Sequence, residues 1–493
     1  MFDELKKISS QTLIYAVGIL LSKAIGFFLI PLYTHYLTPE DYGILELLEL
    51  TSFFAGFFIA MGIHNAILRY FAHYQEARDK YEVISTAVLF VSCSGFLITV
   101  ILVMFSNFFS QLVFDTVKYS YLFSIVFVNL YFGILLELCR TSLRAEGKSV
   151  LFTILAVIYT LIAVSLNILF IVVLGLGIKG ILYSTFIVQV ILLFYLAIYF
   201  YPKTKLHFAF SKLKLILKYG IPFIPTGIFL FILNWADRYF LKIYANLEII
   251  GLYSLGYKIG MIVVMLGGFP FSLFWNAYMF DVYKKPDAKK IYSDVLTYYF
   301  LLLSFIALGL SCLSKELITI LANPAFLKSY LIIPVISFAM VFMTLDNILR
   351  VGILTSNRTH YLPYVEGFAA AAHIGLNFLL IPPFGMLGAG ISTLLSYVIR
   401  AIATVFVSNR LYPIQYEYKR LSLIMGNAIV IIFISKIIRL ETLGWAIVGK
   451  TFIILLFPVL LYLTNFFQVE EKNYIKYKMS KLPKSMVRYF YSN

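Results

Sequence analysis

The chain has 493 residues, of which 61% are hydrophobic and only 13% charged. A soluble chain of that length carries roughly a quarter charged residues, so a soluble enzyme or binding module is excluded. The formal charge of +16 is spread over separate short loops rather than gathered on one face. That pattern argues against nucleic acid as a partner and for anionic membrane lipid.

Apolar runs of about 20 residues recur along nearly the whole chain, each long enough to cross a hydrocarbon core of roughly 30 Å as a helix. They predict an all-α polytopic membrane protein of about fourteen transmembrane helices. The segments lie near 11–33, 42–67, 82–106, 117–139, 150–173, 177–200, 219–242, 250–275, 293–313, 328–350, 361–381, 386–408, 421–437 and 443–466. Lys6 and Lys7 ahead of the first segment give it the look of a signal peptide. The run continues to Tyr33 without a small-x-small cleavage site, so it reads as an uncleaved first helix.

Most of the 40 Lys and Arg residues fall in the N-terminal tail, in every second loop and in the C-terminal tail. Clusters there include Arg69/Arg78/Lys80, Lys203/Lys205/Lys212/Lys214/Lys218 and Lys284/Lys285/Lys289/Lys290. The opposite loops hold Lys118, Lys179, Lys242, Lys315, Lys328 and Arg439. The positive-inside rule then places both termini in the cytoplasm.

The two halves repeat at an offset of about 209 residues. Tyr36, Glu40 and Gly43 match Tyr244, Glu248 and Gly251, while LNILFIVVLGLGIKGI (166–181) lies over LNFLLIPPFGMLGAGI (376–391). The latter alignment pairs Asn167 with Asn377, Gly175 with Gly385 and Gly180 with Gly390, and Arg140 falls on Arg350. An even number of helices per repeat makes the halves parallel, the plan of transporters that bind substrate between two lobes. The expected division is an N-lobe over 1–205, a C-lobe over 206–410, and two added helices with a basic tail over 411–493.

Lys23, Arg238, Lys258, Arg400, Lys436 and Lys450 fall within predicted helices. A basic residue at a helix centre costs roughly 2.5–3.5 kcal/mol on insertion scales, which a wet cavity or an acidic partner offsets. Lys436 reads as snorkelling to the outer interface. Lys23, Arg238, Lys258 and Arg400 are the candidates for lining a cavity that holds an anionic substrate. Glu46 and Glu49 share one helix face, and helix rise puts Glu49 about 10–15 Å below the outer end, level with Lys23. Asp237 is placed comparably with Lys258. These three acids are candidates for ion pairs or for binding a coupling ion. The set does not obey the repeat: Phe231 stands where Lys23 would be matched, and Leu50 where Lys258 would be.

Other signals carry less. Gly444-Trp-Ala-Ile-Val-Gly-Lys450-Thr451 fits the phosphate-loop pattern, but it opens an apolar segment rather than following a strand. The sequon at Asn357 falls in a predicted cytoplasmic loop, and the histidines, His64 and His373 among them, show no metal spacing. Cys93, Cys139 and Cys312 read as buried structural thiols. Pro222, Pro225, Pro270 and Pro334 read as helix kinks.

Motif order along the chain is distinctive. SKAIGFFLIPLY from Ser22 is followed by YLTPEDYG (36–43), YGIPFIP (219–225), DRYFL (237–241), GLYSLGYKI (251–259) and LNFLLIPPFGMLGAGIST (376–393). In this order and spacing the chain resembles the Wzx-type polysaccharide-biosynthesis flippases of the MOP superfamily. Ser22-Lys23-x-x-Gly26-Phe27 is similar to a Ser-Arg-x-x-Gly-Phe stretch of the related lipid II flippase, whose arginine is a required cavity residue. Lysine at this position keeps the charge and loses the bidentate fork.

The resemblance implies two lobes that open alternately to either side of a bacterial cytoplasmic (inner) membrane. It implies export of an undecaprenyl-diphosphate-linked oligosaccharide for O-antigen, capsule or exopolysaccharide, beside other glycan-assembly membrane proteins. No enzymatic step, metal or cofactor is expected; proton or sodium coupling stays open. Rival readings are a multidrug or cation antiporter of the same superfamily, whose site should be acidic, and a membrane-embedded glycan polymerase, for which the outer loops are short. Lys23→Ala is expected to abolish glycan export while the protein still reaches the membrane; full export by that variant would remove Lys23 from the cavity.

Overall fold

The computed structural model describes residues 29–437, 442–469 and 471–472. Twelve helices among them are long and apolar enough to cross a membrane. The longest, Tyr361–Leu411, is two helices joined at Gly385. Most of the predicted first helix, Lys23 included, lies outside the described residues.

The helices that build the site are α1 (Pro39–Ala60), α2 (Ala77–Met104), α3 (Ser120–Ala145) and α4 (Ser149–Asn167). They are followed by α5 (Ile178–Thr204), α6 (Phe223–Tyr244) and α7 (Leu247–Gly260). A π turn at Val264–Gly268 carries α7 into α8 (Phe269–Tyr283). Then come α9 (Ala288–Cys312), α10 (Ile333–Leu349), α11 (361–384), α12 (386–411), α13 (Tyr418–Ile437) and α14 (Leu443–Leu463).

The repeat read from sequence is visible as matched local structure. Thr38 caps α1 by accepting from the Asp41 N–H, and Asn246 caps α7 by accepting from the Ile249 N–H. Four residues past the first residue of each helix comes a glycine. A Cβ on Gly43 would lie 2.0 Å from the Leu247 carbonyl oxygen, and one on Gly251 would lie 1.9 Å from that of Pro39. The two helices therefore cross backbone against backbone, each glycine facing the other helix's first residue, as a pseudo-two-fold contact requires. Further along, Gly177 (φ 54, ψ −131) and Gly385 (φ 52, ψ −126) adopt the same conformation, closed to side-chain-bearing residues. Each opens the last helix of its half. The sequence alignment pairs Gly385 with Gly175 instead. The N-terminal half holds two more residues between its matched asparagine and its break, in a stretch that includes a π turn over Ile168–Val173.

The halves also meet at the opposite end. A Cβ on Gly62 would approach the Gly220 carbonyl oxygen to 2.5 Å, and one on Gly220 would approach that of Met61 to 2.3 Å. Between these two glycine seams, Phe53, Phe54 and Phe57 of α1 meet Phe231 of α6, and Gly227 gives Phe57 room to pack. Phe231, the repeat counterpart of Lys23, is thus an apolar contact between halves.

Pro222 and Pro270 interrupt the spans Phe210–Tyr244 and Leu247–Asn276, the kinks expected of them. Two expectations need correction. Pro334 sits in the first turn of α10, where the missing N–H has no intrahelical partner to lose, so it starts a helix more than it bends one. Cys139 and Cys312 are buried, but Cys93 is exposed on α2. Replacing Gly43 with Leu should push α1 and α7 apart at their starts. Spin labels at Glu40 and Glu248 should separate by about 2 Å or more; an unchanged distance would mean that the glycines do not set this crossing.

Candidate functional site

The α1–α7 crossing places four charges in a row. Lys258 of α7 sits about 16 Å, and Glu46 of α1 about 10 Å, along the helix from its start. The Lys258 ammonium donates to the Tyr42 hydroxyl at 3.1 Å, lies 4.5 Å from that ring's centre and is 3.5 Å from the Glu46 carboxylate. Arg238 of α6 approaches the same carboxylate from the other side at 3.7 Å. Its guanidinium also donates to Asp237 at 2.7 Å and stacks 4.0 Å from the Tyr257 ring centre. Asp237 in turn accepts from Tyr253 and, at 3.1 Å, from Thr393 of α12.

Burial separates these groups by what they can do. Arg238 and Asp237 are 1% and 0% exposed, so their mutual pairing and hydrogen bonds are what make their charges tolerable inside the protein. Glu46 is nearly as buried, at 8%. Lys258 by contrast keeps 43% of its side chain exposed. Glu49, one turn from Glu46, is exposed and forms no hydrogen bond or ion pair with a described residue. Nearby, Tyr33 accepts from the Asn167 amide at 3.0 Å.

Arg400 stands apart, on α12 further from the Gly43 seam. It pairs with Asp346 of α10 at 3.0 Å and with Glu366 of α11. Arg350, which binds the Asn347 side chain at 2.7 Å, adds a second cation. Arg400, Asp346, Arg350, Asn347 and Asn234 border a cavity of 290 Å³. The matching region of the N-terminal half carries Arg140 and Arg144, 3.8 and 3.6 Å from the half-exposed Glu137. A second cavity of 740 Å³ opens between α1 and α6 toward the Gly43 seam, with Lys242 paired to Asp115 on its wall. Beside it Tyr239 and Thr51 share a 2.9 Å hydrogen bond across the halves.

The structure thus joins Arg238, Lys258, Glu46 and Asp237 in one cluster, leaves Glu49 without a hydrogen bond or ion pair among the described residues, and puts Arg400 in a separate cluster. Asp237 is bound to its neighbour Arg238 rather than to Lys258. Asp346, Glu366 and Glu137 escaped the sequence reading. They lie within predicted segments as plainly as the lysines do, and a search for acids as well as bases at membrane depth finds them. Arg350 and Arg140 were marked only as a repeat match.

Two pseudo-equivalent helical halves thus meet at a seam that carries a charged cluster. The described fold is shared with the lipid II flippase MurJ in an inward closed conformation. That match has a TM-score of 0.74 at 15% identity, over 92% of this chain and all of that one. It is shared also with a MATE-family multidrug resistance transporter of the MOP superfamily in an inward-facing conformation, with a TM-score of 0.62 at 15% identity, over 84% of this chain and 99% of that one. Residues 8–275 match the polysaccharide biosynthesis protein family, and the chain belongs to that family. A relative at 27% identity over 255 residues is the "Uncharacterized membrane protein MJ1068" of Methanocaldococcus jannaschii, matched over 48% of each chain. The chain therefore spans about half the length of that relative. The polysaccharide-biosynthesis family and the helical fold read from the sequence both hold.

Asp237→Ala strips the buried Arg238 of its nearest counter-charge and should destabilise the protein by about 3–5 kcal/mol. Adding Arg238→Leu should recover a large part of that loss. Thermal unfolding of the purified single and double variants measures both, and equal losses would dissociate the pair from stability.

Proposed function

We propose that this protein flips an undecaprenyl-diphosphate-linked oligosaccharide from the cytoplasmic to the periplasmic leaflet for O-antigen, capsule or exopolysaccharide synthesis. It acts by alternating access, in a bacterial inner membrane with both termini cytoplasmic. The lobes are residues 1–205 and 206–410, with 411–493 as an added pair of helices and tail. Membership of the polysaccharide biosynthesis family and the fold shared with a lipid II flippase support this reading.

The observation that carries it is the half-exposed Lys258, held by Glu46 and Tyr42 next to the Gly43 seam. An entering diphosphate offers Lys258 a charge-assisted partner that competes with Glu46. Tyr42 immediately precedes Gly43 and packs edge-on against Phe326 at 5.7 Å. Drawing Lys258 toward substrate loosens Tyr42, and with it the seam that must part for release at that end. Lys23 and Arg400 are the further basic contacts, and Arg238 acts from behind by holding Glu46. Outward movement of negative charge runs with an inside-negative potential, about 2.3 kcal/mol per charge per 100 mV. Glu49 and Glu46 are the carboxylates available to a proton or sodium ion; Asp237 is already held by Arg238, Tyr253 and Thr393.

A specific observation favours a second reading. Lys258, Arg238, Glu46, Glu49 and Asp237 together carry one more negative than positive charge, which suits a cation exporter. Proteoliposomes separate the two. With a fluorescent lipid-diphosphate oligosaccharide, the wild type should move label between leaflets, and Lys258→Ala should slow this by about 10- to 100-fold, the loss of one charge-assisted bond. Absence of lipid transfer with proton- or sodium-driven cation efflux would replace the flippase reading with the exporter one.

A further inference from the structure

The phosphate-loop look-alike of the sequence ends at Lys450, which lies within the continuous helix α14. Its side chain is committed elsewhere: Lys450 donates to Glu316 at 2.7 Å. That pair forms part of the wall of a pocket of 510 Å³ between α9, α10, α13 and α14. Chain direction puts the pocket at the same end of the bundle as the Gly43 seam.

The pocket is unlike the other peripheral cavities in its charge. Lys315, Lys436 and Lys450 line it against the single carboxylate of Glu316, with Ser314 and Tyr330 as neutral polar neighbours. Glu316 is 6% exposed, and its second oxygen is buried without a hydrogen-bond partner among the described residues. Its charge is spent on Lys450. Lys315 and Lys436 are exposed and form no ion pair with a described residue. Among the described residues two positive charges are thereby left over in a preformed recess.

Depth and surroundings narrow what can neutralise them. Lys450 stands about 10 Å along α14 from its start, the level where headgroups meet acyl chains. The lining also carries Leu331, 39% exposed, with Pro334 and Ala446. Trp445, 70% exposed near the start of α14, marks this level as interfacial, and the aliphatic part of the wall is suited to a fatty chain. A soluble anion would gain nothing from that apolar frame, whereas a lipid phosphate uses both parts.

We propose that this pocket binds the phosphate of an anionic lipid, with Lys315 and Lys436 as counter-charges and the Glu316–Lys450 pair as its floor. The chemistry is that of a phosphate ester on a hydrophobic chain. Bulk anionic phospholipid and a polyprenyl phosphate carrier are its two sources. The site is independent of the substrate assigned to the seam between halves.

Native mass spectrometry of the delipidated full-length protein tests it. The probes are phosphatidylglycerol, phosphatidylcholine, polyprenyl monophosphate and inorganic phosphate. Wild type should retain at least one of the two anionic lipids over phosphatidylcholine. Lys315→Gln and Lys436→Gln, singly and together, should weaken retention by about fivefold per lysine removed. Lys179→Gln, on the same end but outside the pocket, should leave it unchanged. Glu316→Gln frees Lys450 and should strengthen retention, an effect that a purely structural salt bridge would not produce. Preference between the two anionic lipids identifies the source. Equal retention of phosphatidylcholine, binding of inorganic phosphate without either lipid, or insensitivity to both lysines would each overturn the site.

Discussion

The approach of α1 to α7 through Gly43 and Gly251 governs the interior. Each glycine faces a carbonyl oxygen so closely that no larger residue fits, which fixes the spacing and mutual rotation of the two helices. Everything nearby inherits that constraint. Tyr42 and Glu46, one residue before and three after Gly43, are turned toward Lys258, about two turns past Gly251 by ordinary helix pitch. Arg238 completes the arrangement from α6. A looser crossing would leave two bases and two acids each searching for partners at membrane depth.

Symmetry and function pull this fold in different directions. Caps, crossing glycines and helix breaks recur in both halves, so the frame has a near two-fold axis. The charges do not follow it. Phe231 packs among phenylalanines where a lysine would be matched, and Glu366, which holds Arg400, has no acidic equivalent at the matched position. Under the proposed alternating access, a symmetric frame gives two end states of similar packing quality. An asymmetric charge set then lets one bound molecule weight them unequally, because only differential contacts shift an equilibrium.

How much of this could be read from the chain depended on range. Spans, repeat and crossing glycines were legible because each is a local pattern that survives in a window of a few tens of residues. The deep bases were legible too, since a charge amid apolar residues is conspicuous. Their partners were not. Lys258 meets Glu46, and Arg400 meets Asp346 and Glu366, across distances in sequence that no periodicity reports. The exposure of Cys93 and the role of Pro334 as a helix starter depend on neighbours and on exact helix ends. The two-residue slip between matched asparagine and break glycine was hidden because a π turn changes the spacing without changing the residues that sequence matching rewards.

The hairpin at Gly385 has a further consequence, for biogenesis. Helices 361–384 and 386–411 share a single linking residue, preceded by Pro382 and Pro383, and a Cβ on Gly388 would strike the Leu380 carbonyl oxygen at 2.0 Å. With no slack between them, neither helix can settle in lipid while the other waits in water. They have to enter the bilayer as one pair. His373 and Ser396, hydrogen-bonded across the pair at 3.0 Å, would then already be in contact as the pair leaves the insertion machinery, shielding a polar ring and a hydroxyl from the acyl chains before the rest of the bundle closes around them.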